Sequence, residues 1–229
     1  MIVVALKRTW HHDLAADPAA HAWALNLYRA GERHPQTVQD YFPVDAAPDR
    51  ELAALLRRHQ LDEERHTRIY TALIQGLGGQ VVDVDTPDVF NHQIRQAGGD
   101  TFAMGPSDTP DDKRRKVGHF LLHAHFLERR IAQSVAWHSE ACDGATRQAI
   151  SHVQEDEERH VAYTATWARM LLTDAEYADA RTLHANAEAV ANLRFSARQC
   201  RTWVDRFGSR PGRRTLYSVC AWYMERMAG

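Results

Sequence analysis

The pentapeptide Asp-Glu-Glu-Arg-His occurs twice in the chain, once from Asp62 to His66 and once from Asp156 to His160. Each copy contains a Glu-x-x-His pair. Residues three apart on an α-helix project from the same face, with Cβ atoms roughly 5 to 6 Å apart, so each pair can bind a metal ion. The repeat therefore predicts that both copies lie on helices and that they can form a dinuclear site together.

Proline and glycine divide the chain into long helix-compatible stretches, and very few segments alternate between apolar and polar residues as strands do. This pattern predicts an all-α fold in one domain of residues 1–229. We expect a first helical hairpin at 17–76, a crossover at 77–110, a second hairpin at 111–172 and a C-terminal helical extension at 173–229. Such a crossover can run the length of a bundle and start the second hairpin in the direction in which the first ended.

Capping and breaking residues set the expected helix bounds. Pro35 removes the hydrogen bond to Gly31, and we expect it either to kink helix one beside Glu32 or to end the helix there. The crossover is expected to hold a short extended piece at 81–84 and a short helix at 87–96. The expected long helices are 19–41 with Asp17 as cap, 49–76, 111–140, 145–172, 175–207 and 213–227.

A dinuclear carboxylate site also needs one glutamate from the first helix of each hairpin. Glu32 is the only glutamate before Glu51, and Glu128 is the only one between Asp111 and Ser139. Each first helix therefore offers a single candidate.

The heights of these glutamates agree with the helices that carry the repeated motif. In an antiparallel hairpin, two residues lie at the same level when they are equidistant from the turn. The midpoint of Glu32 and Glu63 falls in the proline-containing break at 47–48, and that of Glu128 and Glu157 falls in the turn at 142–143. Glu32 precedes Glu128 by 96 positions and Glu63 precedes Glu157 by 94, so the chain reads as an approximate duplication of one hairpin.

With these residues the chain resembles the ferritin-like di-iron carboxylate superfamily. The form Asp-Glu-x-Arg-His is most similar to its oxygen-activating branch, which includes bacterial multicomponent monooxygenases and acyl-carrier-protein desaturases. The resemblance covers about residues 17–172. It implies a ferritin-like four-helix bundle in which two iron ions are held by Glu32, Glu63, His66, Glu128, Glu157 and His160.

The donor types suit this chemistry without the resemblance. Four carboxylates neutralise most of the charge of two divalent ions, and two neutral imidazoles leave coordination positions open for dioxygen. Mixed oxygen and nitrogen ligation suits iron or manganese, so two iron ions are expected, with manganese or a mixed pair as alternatives. Neither haem nor flavin is expected.

Flanking residues have predicted supporting roles. Asp62 and Asp156 lie four positions before the histidines, so each can accept a hydrogen bond from an imidazole, expected to be that of the opposite hairpin as in similar families. Arg65 and Arg159 can hold those aspartates in place. Further side chains at helical spacing can either line the site or pack within the bundle: Tyr28, Gln60, Tyr70, His125, Gln154 and Tyr163.

Composition gives no reason to expect several other classes of function. The net charge of -2 gives no global reason to expect DNA or a membrane as partner. The apolar stretch at 1–6 is too short and wrongly ordered for a secretory signal, and no run approaches membrane-spanning length. The three cysteines are odd in number and widely spaced, which argues against a disulfide framework and favours the cytoplasm.

The predicted function is that of a non-haem di-iron oxygenase or oxidase. It would use dioxygen and an external electron donor to oxidise, for example hydroxylate, an organic substrate that the sequence does not identify. The alternatives are a ferroxidase of the iron-storage type, a peroxidase resembling rubrerythrin but without its rubredoxin cysteines, and a metal-stabilised interaction module. Apolar residues of the C-terminal stretch are expected to pack against the bundle or against a second copy in a homodimer.

Overall fold

The described part of the chain is helical and contains no strand, which confirms the predicted all-α class. A computed structural model describes residues 2–37, 42–208 and 210–229. Two short 3-10 turns lie at Val44–Ala46 and Thr86–Asp88. The α-helices of these residues are α1 (Ile2–Ala15), α2 (Pro18–Thr37), α3 (Arg50–Gly76), α4 (Phe90–Gly98), α5 (Pro110–Ala141), α6 (Gly144–Leu171), α7 (Asp174–Arg206) and α8 (Pro211–Ala228).

Side-chain caps start the long helices close to the predicted bounds. Asp17 Oδ1 accepts from the backbone N–H groups of Ala19 and Ala20 at 2.8 and 3.0 Å. Asp49 accepts from the N–H of Leu52 at 2.9 Å at the start of α3. Capping boxes begin α5 and α7, where Thr109 and Thr173 are the cap residues.

Helix α2 continues through Pro35 to Thr37, so Glu32 lies inside the helix and not beyond its end. Of the two expectations for Pro35, the early end is therefore wrong. The predicted continuation of this helix at 38–41 lies outside the described residues.

Helix α2 packs along α3, α5 packs along α6, and α3 contacts α6. The core between them contains Leu52, Leu56, Phe120 and Leu121, all fully buried. Gly118 allows a close approach, because a Cβ at this position would lie 2.5 Å from a methyl group of Leu172. These contacts bring the two pentapeptide helices together.

The side-chain amide of Asn26 joins the crossover to α2. Asn26 donates from Nδ2 to the carbonyl of Gln80 at 2.9 Å, and its Oδ1 accepts from the N–H of Val82 at 2.9 Å. Residues 81–84 have no strand partner, and the predicted short helix at 87–96 corresponds to a 3-10 turn followed by α4. Helix α4 then packs on α7, where Phe90 and Ile94 meet Ala187 and Ala191.

Helix α1 is an element that the sequence analysis did not predict. Its Trp10 ring lies 6.2 Å from the ring of Trp203 on α7 and 4.9 Å from the ring of Tyr217 on α8, measured between centroids. The N-terminal and C-terminal helices thus share a small apolar core. None of the helices in the described residues has the length and hydropathy that a membrane-spanning helix requires.

Candidate metal centre

Seven buried side chains from α2, α3, α5 and α6 converge at mid-height of the two pentapeptide helices. Their donor atoms fall into two groups, each with all atoms within 4.8 Å of one another. Glu63 belongs to both groups. The first group is Glu32, Glu63, His66 and Glu157, and the second is His59, Glu63, Glu128 and His160.

All six residues predicted as ligands are therefore brought together by the fold. The Nδ1 of His66 lies 3.3 Å from Oε1 of Glu157 and 3.6 Å from Oε2 of Glu32. The Nδ1 of His160 lies 3.1 Å from Oε2 of Glu157 and 3.6 Å from Oε1 of Glu63. Buried His/Glu clusters of this kind could hold a metal ion.

The predicted hydrogen bonds between hairpins are present. His66 Nε2 lies 3.1 Å from Oδ2 of Asp156, and His160 Nε2 lies 3.3 Å from Oδ2 of Asp62. An ionised carboxylate only accepts, so each Nε2 carries a hydrogen and each Nδ1 faces the glutamates of the centre. Each aspartate thus orients the imidazole of a histidine on the other hairpin.

The arginines of the pentapeptide keep these aspartates charged. Arg65 contacts Asp156 and also donates to Asp62 at 2.8 Å, and Arg159 contacts Asp156 and approaches Asp62 to 3.5 Å. Although partial burial opposes ionisation, hydrogen bonds from His160 and His66 and the nearby arginines lower the pKa of Asp62 and of Asp156. The aspartates therefore remain acceptors at neutral pH.

The glutamates of the centre are strongly affected by burial and by one another. Burial and the neighbouring Glu32 raise the pKa of Glu63 well above its usual range, and burial and Glu157 do the same for Glu128. Burial also disfavours the charge of Glu157, but the adjacent imidazoles of His160 and His66 hold its pKa below the ordinary value. Four carboxylates in a dry space need cations or protons between them.

Several buried oxygen and nitrogen atoms that could bind a metal ion have no hydrogen-bond partner among the described residues. They are Oε2 of Glu32, Nε2 of His59, Oε1 of Glu63, Nδ1 of His66, Oε2 of Glu128 and Oε1 of Glu157. Buried polar atoms are otherwise nearly always satisfied in proteins. Their convergence on one space is the arrangement expected of ligands around ions.

His59 is the member of the centre that the sequence analysis missed. Its Nε2 lies 3.2 Å from Oε1 of Glu63 and 3.3 Å from Oε1 of Glu128, and its Nδ1 lies 2.7 Å from the hydroxyl of Tyr163. The available signal was the spacing His-x-x-x-Glu-x-x-His, which puts three donors on one face of α3. The repeat hid this signal, because buried Val153 occupies the equivalent position on α6.

The three tyrosines predicted near the site are present beside it. Tyr163 contacts His59 as described, and the Tyr70 ring lies 5.6 Å from that of Tyr28, measured between centroids. The Tyr70 hydroxyl is buried without a hydrogen-bond partner. Burial and the charge of Glu32 raise its pKa, so the phenol stays protonated.

The remaining predicted pocket residues are not part of the centre. Gln154 points outward and donates to Glu158 at 3.1 Å, and Gln60 is half-buried and belongs to neither ligand group. The imidazole of His125 contacts the carbonyl of Val161 at 3.2 Å between α5 and α6. The two glutamines lie outside the centre because the buried residue of each helix is the one four positions before the glutamate, and the glutamines lie three positions before it.

A second buried cluster lies near the end of α5. His138 Nε2 lies 3.0 Å from Nε2 of His21, which is 3.7 Å from Sγ of Cys142, and His138 Nδ1 lies 3.3 Å from Nδ1 of His11. Burial lowers the pKa of all three histidines, that of His11 to about 3. Neutral rings with one N–H each account for these contacts, so the cluster needs no ion.

An open cleft of about 380 Å³ at His59, His160 and Tyr163 adjoins the centre on one side, and two more enclosed cavities adjoin it elsewhere. The smaller, about 30 Å³, is lined by Glu63 and Glu128 together with the apolar residues Phe42 and Leu127. The larger, about 80 Å³, is lined by Glu32 and Tyr28 and extends between α1, α2, α5 and α7.

The chain matches no protein-family model, no curated protein and no solved structure. The function proposed below therefore rests on the residues and geometry of this chain.

Proposed function

We propose that the chain is a ferritin-like four-helix bundle with a dinuclear non-haem iron centre that uses dioxygen to oxidise an organic substrate. In this proposal α2, α3, α5 and α6 are the four helices of the bundle, and the long crossover joins its two hairpins. The observation that carries the proposal is the set of inward-facing side chains, with the imidazoles oriented by aspartates of the opposite hairpin.

The residues present fit a pair of divalent cations. The Nδ1 lone pair of His66 faces oxygens of Glu157 and Glu32, and this contact is repulsive unless a proton or a cation lies between them. The same holds for His59 Nε2 between Glu63 and Glu128 if Tyr163 accepts the Nδ1 hydrogen. Glu63 would help to hold both ions, because it belongs to both ligand groups.

The protein residues have separable tasks in the proposed reaction. Asp62 and Asp156 orient the imidazoles, and Arg65 and Arg159 hold the aspartates. When bound, two iron ions would supply the capacity to activate dioxygen and to take electrons from an external donor. The small cavity beside Glu63 and Glu128 limits water at that position, because its wall is mainly apolar.

Mixed oxygen and nitrogen ligation suits both iron and manganese. Iron is proposed because the families that this chain resembles use iron to activate dioxygen. The test is anaerobic titration with Fe(II), followed by metal analysis and by oxygen uptake on exposure to air. We expect two ions per chain, and Glu128→Gln should lose at least one of them, whereas the exposed control Glu155→Gln should lose none. The proposal would be refuted if the wild-type chain bound at most one ion, or if Glu128→Gln bound as many ions as the wild type.

The larger cavity favours an oxidase with an organic substrate over the other candidates. Iron storage, peroxide reduction and a structural metal site need no apolar pocket beside the ligands, and Glu32 lines such a pocket here. Size-exclusion chromatography separates the storage alternative, because a 24-subunit shell has a mass that no monomer or dimer approaches. A shell would replace the proposed function with that of a ferroxidase.

A homodimer remains a proposal as well. Trp222, Tyr223 and Met227 on α8 expose more than half of their surface, which leaves an apolar patch outside the shared core of α1, α7 and α8. Sedimentation of wild-type protein and of Trp222→Glu tests it. A monomer at all concentrations in both would rule out the dimer.

A further inference from the structure

We propose that the larger of the two enclosed cavities binds an apolar organic acid whose carboxylate pairs with Lys7. That this acid is the substrate rests on the proposed oxidase function. The class of ligand follows from the charges and the surface of the cavity wall.

The wall of this cavity is mainly aromatic and aliphatic. Its apolar residues include Trp10, Leu14, Trp23, Leu27, Phe90 and Phe195. Such a surface binds the apolar body of a ligand by removing both surfaces from water. The same wall contains Glu32 of the metal centre, so the body of a bound ligand lies next to the ligands of the proposed ions.

Two cations line the cavity, and only one of them has a carboxylate partner in the described residues. Arg130 pairs with Glu188 at 2.6 Å. The partly buried Lys7 donates to the hydroxyl of Ser196 at 3.1 Å and has no ion-pair partner among these residues. Glu32 is the only acidic residue in the lining, and it belongs to the metal centre. Lys7 is therefore the one cation of the lining without a carboxylate partner among the described residues.

An anionic group would relieve the situation of Lys7. Burial and the charge of Arg130 lower the pKa of this lysine, which means that the protein penalises its charge. A carboxylate at hydrogen-bond distance offsets that penalty and gains a charge-assisted hydrogen bond. A neutral amide of the same shape gains neither effect in full.

The cavity also gives a route toward the centre. Gly31, Phe90 and Ile131 line both this cavity and the small cavity at Glu63 and Glu128, so the two lie side by side. A Cβ added at Gly31 would meet no atom within 4 Å, which shows that this helix position faces open space. An acid held at Lys7 can thus present its far end to the proposed metal ions.

The test uses benzoate as the probe, with benzamide as its neutral counterpart, on the full-length purified protein. Trp10 and Trp23 in the wall report binding by fluorescence, and calorimetry gives the affinity. We expect benzoate to bind at least about ten-fold more tightly than benzamide, and Lys7→Gln to remove that difference. Lys7→Arg should preserve it.

Two further variants distinguish binding in this cavity from binding elsewhere on the protein. Lys113→Gln removes an exposed lysine outside the cavity and should leave benzoate binding unchanged. Gly31→Leu keeps Lys7 but fills the open space, so it should abolish binding while circular dichroism shows an intact fold. Equal binding of benzoate and benzamide, or equal behaviour of Lys7→Gln and Lys113→Gln, overturns the inference; the second result would also expose binding of the carboxylate directly to metal.

Failure of the proposed function would look different. Lys7-dependent binding of benzoate in a protein that takes up no iron would keep the acid site and discard the oxidase. Two bound iron ions without Lys7-dependent binding would keep the centre and discard the acid.

Discussion

The imidazole of His59 on α3 stacks on that of His160 on α6, with ring centroids 3.6 Å apart and planes inclined by 24°. The stack joins two helices that carry the same pentapeptide, through a residue that only one of them possesses. It places the Nε2 of His59 between Glu63 and Glu128. His59 is therefore the best-placed residue for separating the two ligand groups experimentally.

We predict that His59→Ala weakens binding of one metal ion and leaves the other in place. The group with Glu128 loses a nitrogen donor, whereas the group with Glu32 and His66 keeps all its donors. The loss of affinity should exceed the roughly 10 to 100-fold typical of changes to the partners of ligands. Native mass spectrometry during an Fe(II) or Mn(II) titration measures it, with Gln60→Ala as control. Equal weakening of both ions would contradict the separation into two groups.

Asp156→Asn is predicted to act on the centre through His66. The substitution removes a charged acceptor from His66 Nε2 and leaves Arg65 and Arg159 with less compensating charge. Metal affinity should fall by about 10 to 100-fold without loss of the fold. Metal content after dialysis against a graded chelator measures the change.

Two comparisons make this result specific. Asp62→Asn should produce a similar loss through His160, because the two contacts are equivalent across the hairpins. Glu158→Gln, on the exposed side of the same motif, should retain wild-type affinity. Wild-type metal affinity in both aspartate variants, or an equal loss in Glu158→Gln, would show that these hydrogen bonds do not support the ligands.

The buried histidines near the end of α5 predict a loss of stability in acid. The pKa of His11 is about 3 in the folded chain and near 6.5 when unfolded, so between these values the unfolded state binds the extra proton. The free energy of unfolding therefore decreases as the pH falls below about 6.5. For His11 alone the decrease between pH 7 and pH 5 is about 2 kcal/mol.

Urea unfolding of wild type and His11→Gln at both pH values measures this effect. The variant should be less stable at pH 7 but should lose less stability on acidification. His12→Gln controls for removal of an exposed histidine. Parallel pH dependence of all three proteins would show that burial of His11 does not set the acid limit.

The cap of α5 predicts a simple effect on stability. Thr109 accepts from the N–H of Asp112 at 3.2 Å, and Asp112 accepts from the N–H of Thr109 at 3.1 Å. Thr109→Ala should therefore lower the free energy of unfolding by about 1 kcal/mol. Thermal or urea unfolding gives the value, and the exposed mid-helix substitution Thr166→Ala should cost less.

Local spacing made most of the helices and the six carboxylate and histidine positions predictable. A cap such as Asp49 is defined by its own neighbours, and Glu63 and His66 share a face whatever the rest of the chain does. The matching heights of Glu32 and Glu128 followed from hairpin geometry alone. The class of fold and the convergence of these residues are accordingly seen in the structure, while the ferritin-like identity and the iron remain predictions.

What the sequence could not reveal depends on contacts between distant residues. Helix α1 is held by Trp10 against Trp203 and Tyr217, which lie about two hundred positions away. His59 has no counterpart in the second pentapeptide helix, so a search for repeated residues passes over it. The inward position four residues before each glutamate also explains why Gln60 and Gln154 belong to neither ligand group.

The repeat differs at one position, where α3 has His59 and α6 has Val153. The group containing His59 and His160 offers two nitrogen donors, whereas the group containing His66 offers one. Divalent metals differ in their preference for nitrogen over oxygen ligands, so two such positions would fill in sequence and not together. Two similar helical hairpins would thereby distinguish a first ion from a second, which is the requirement for assembling a pair of unlike metals in a fixed order.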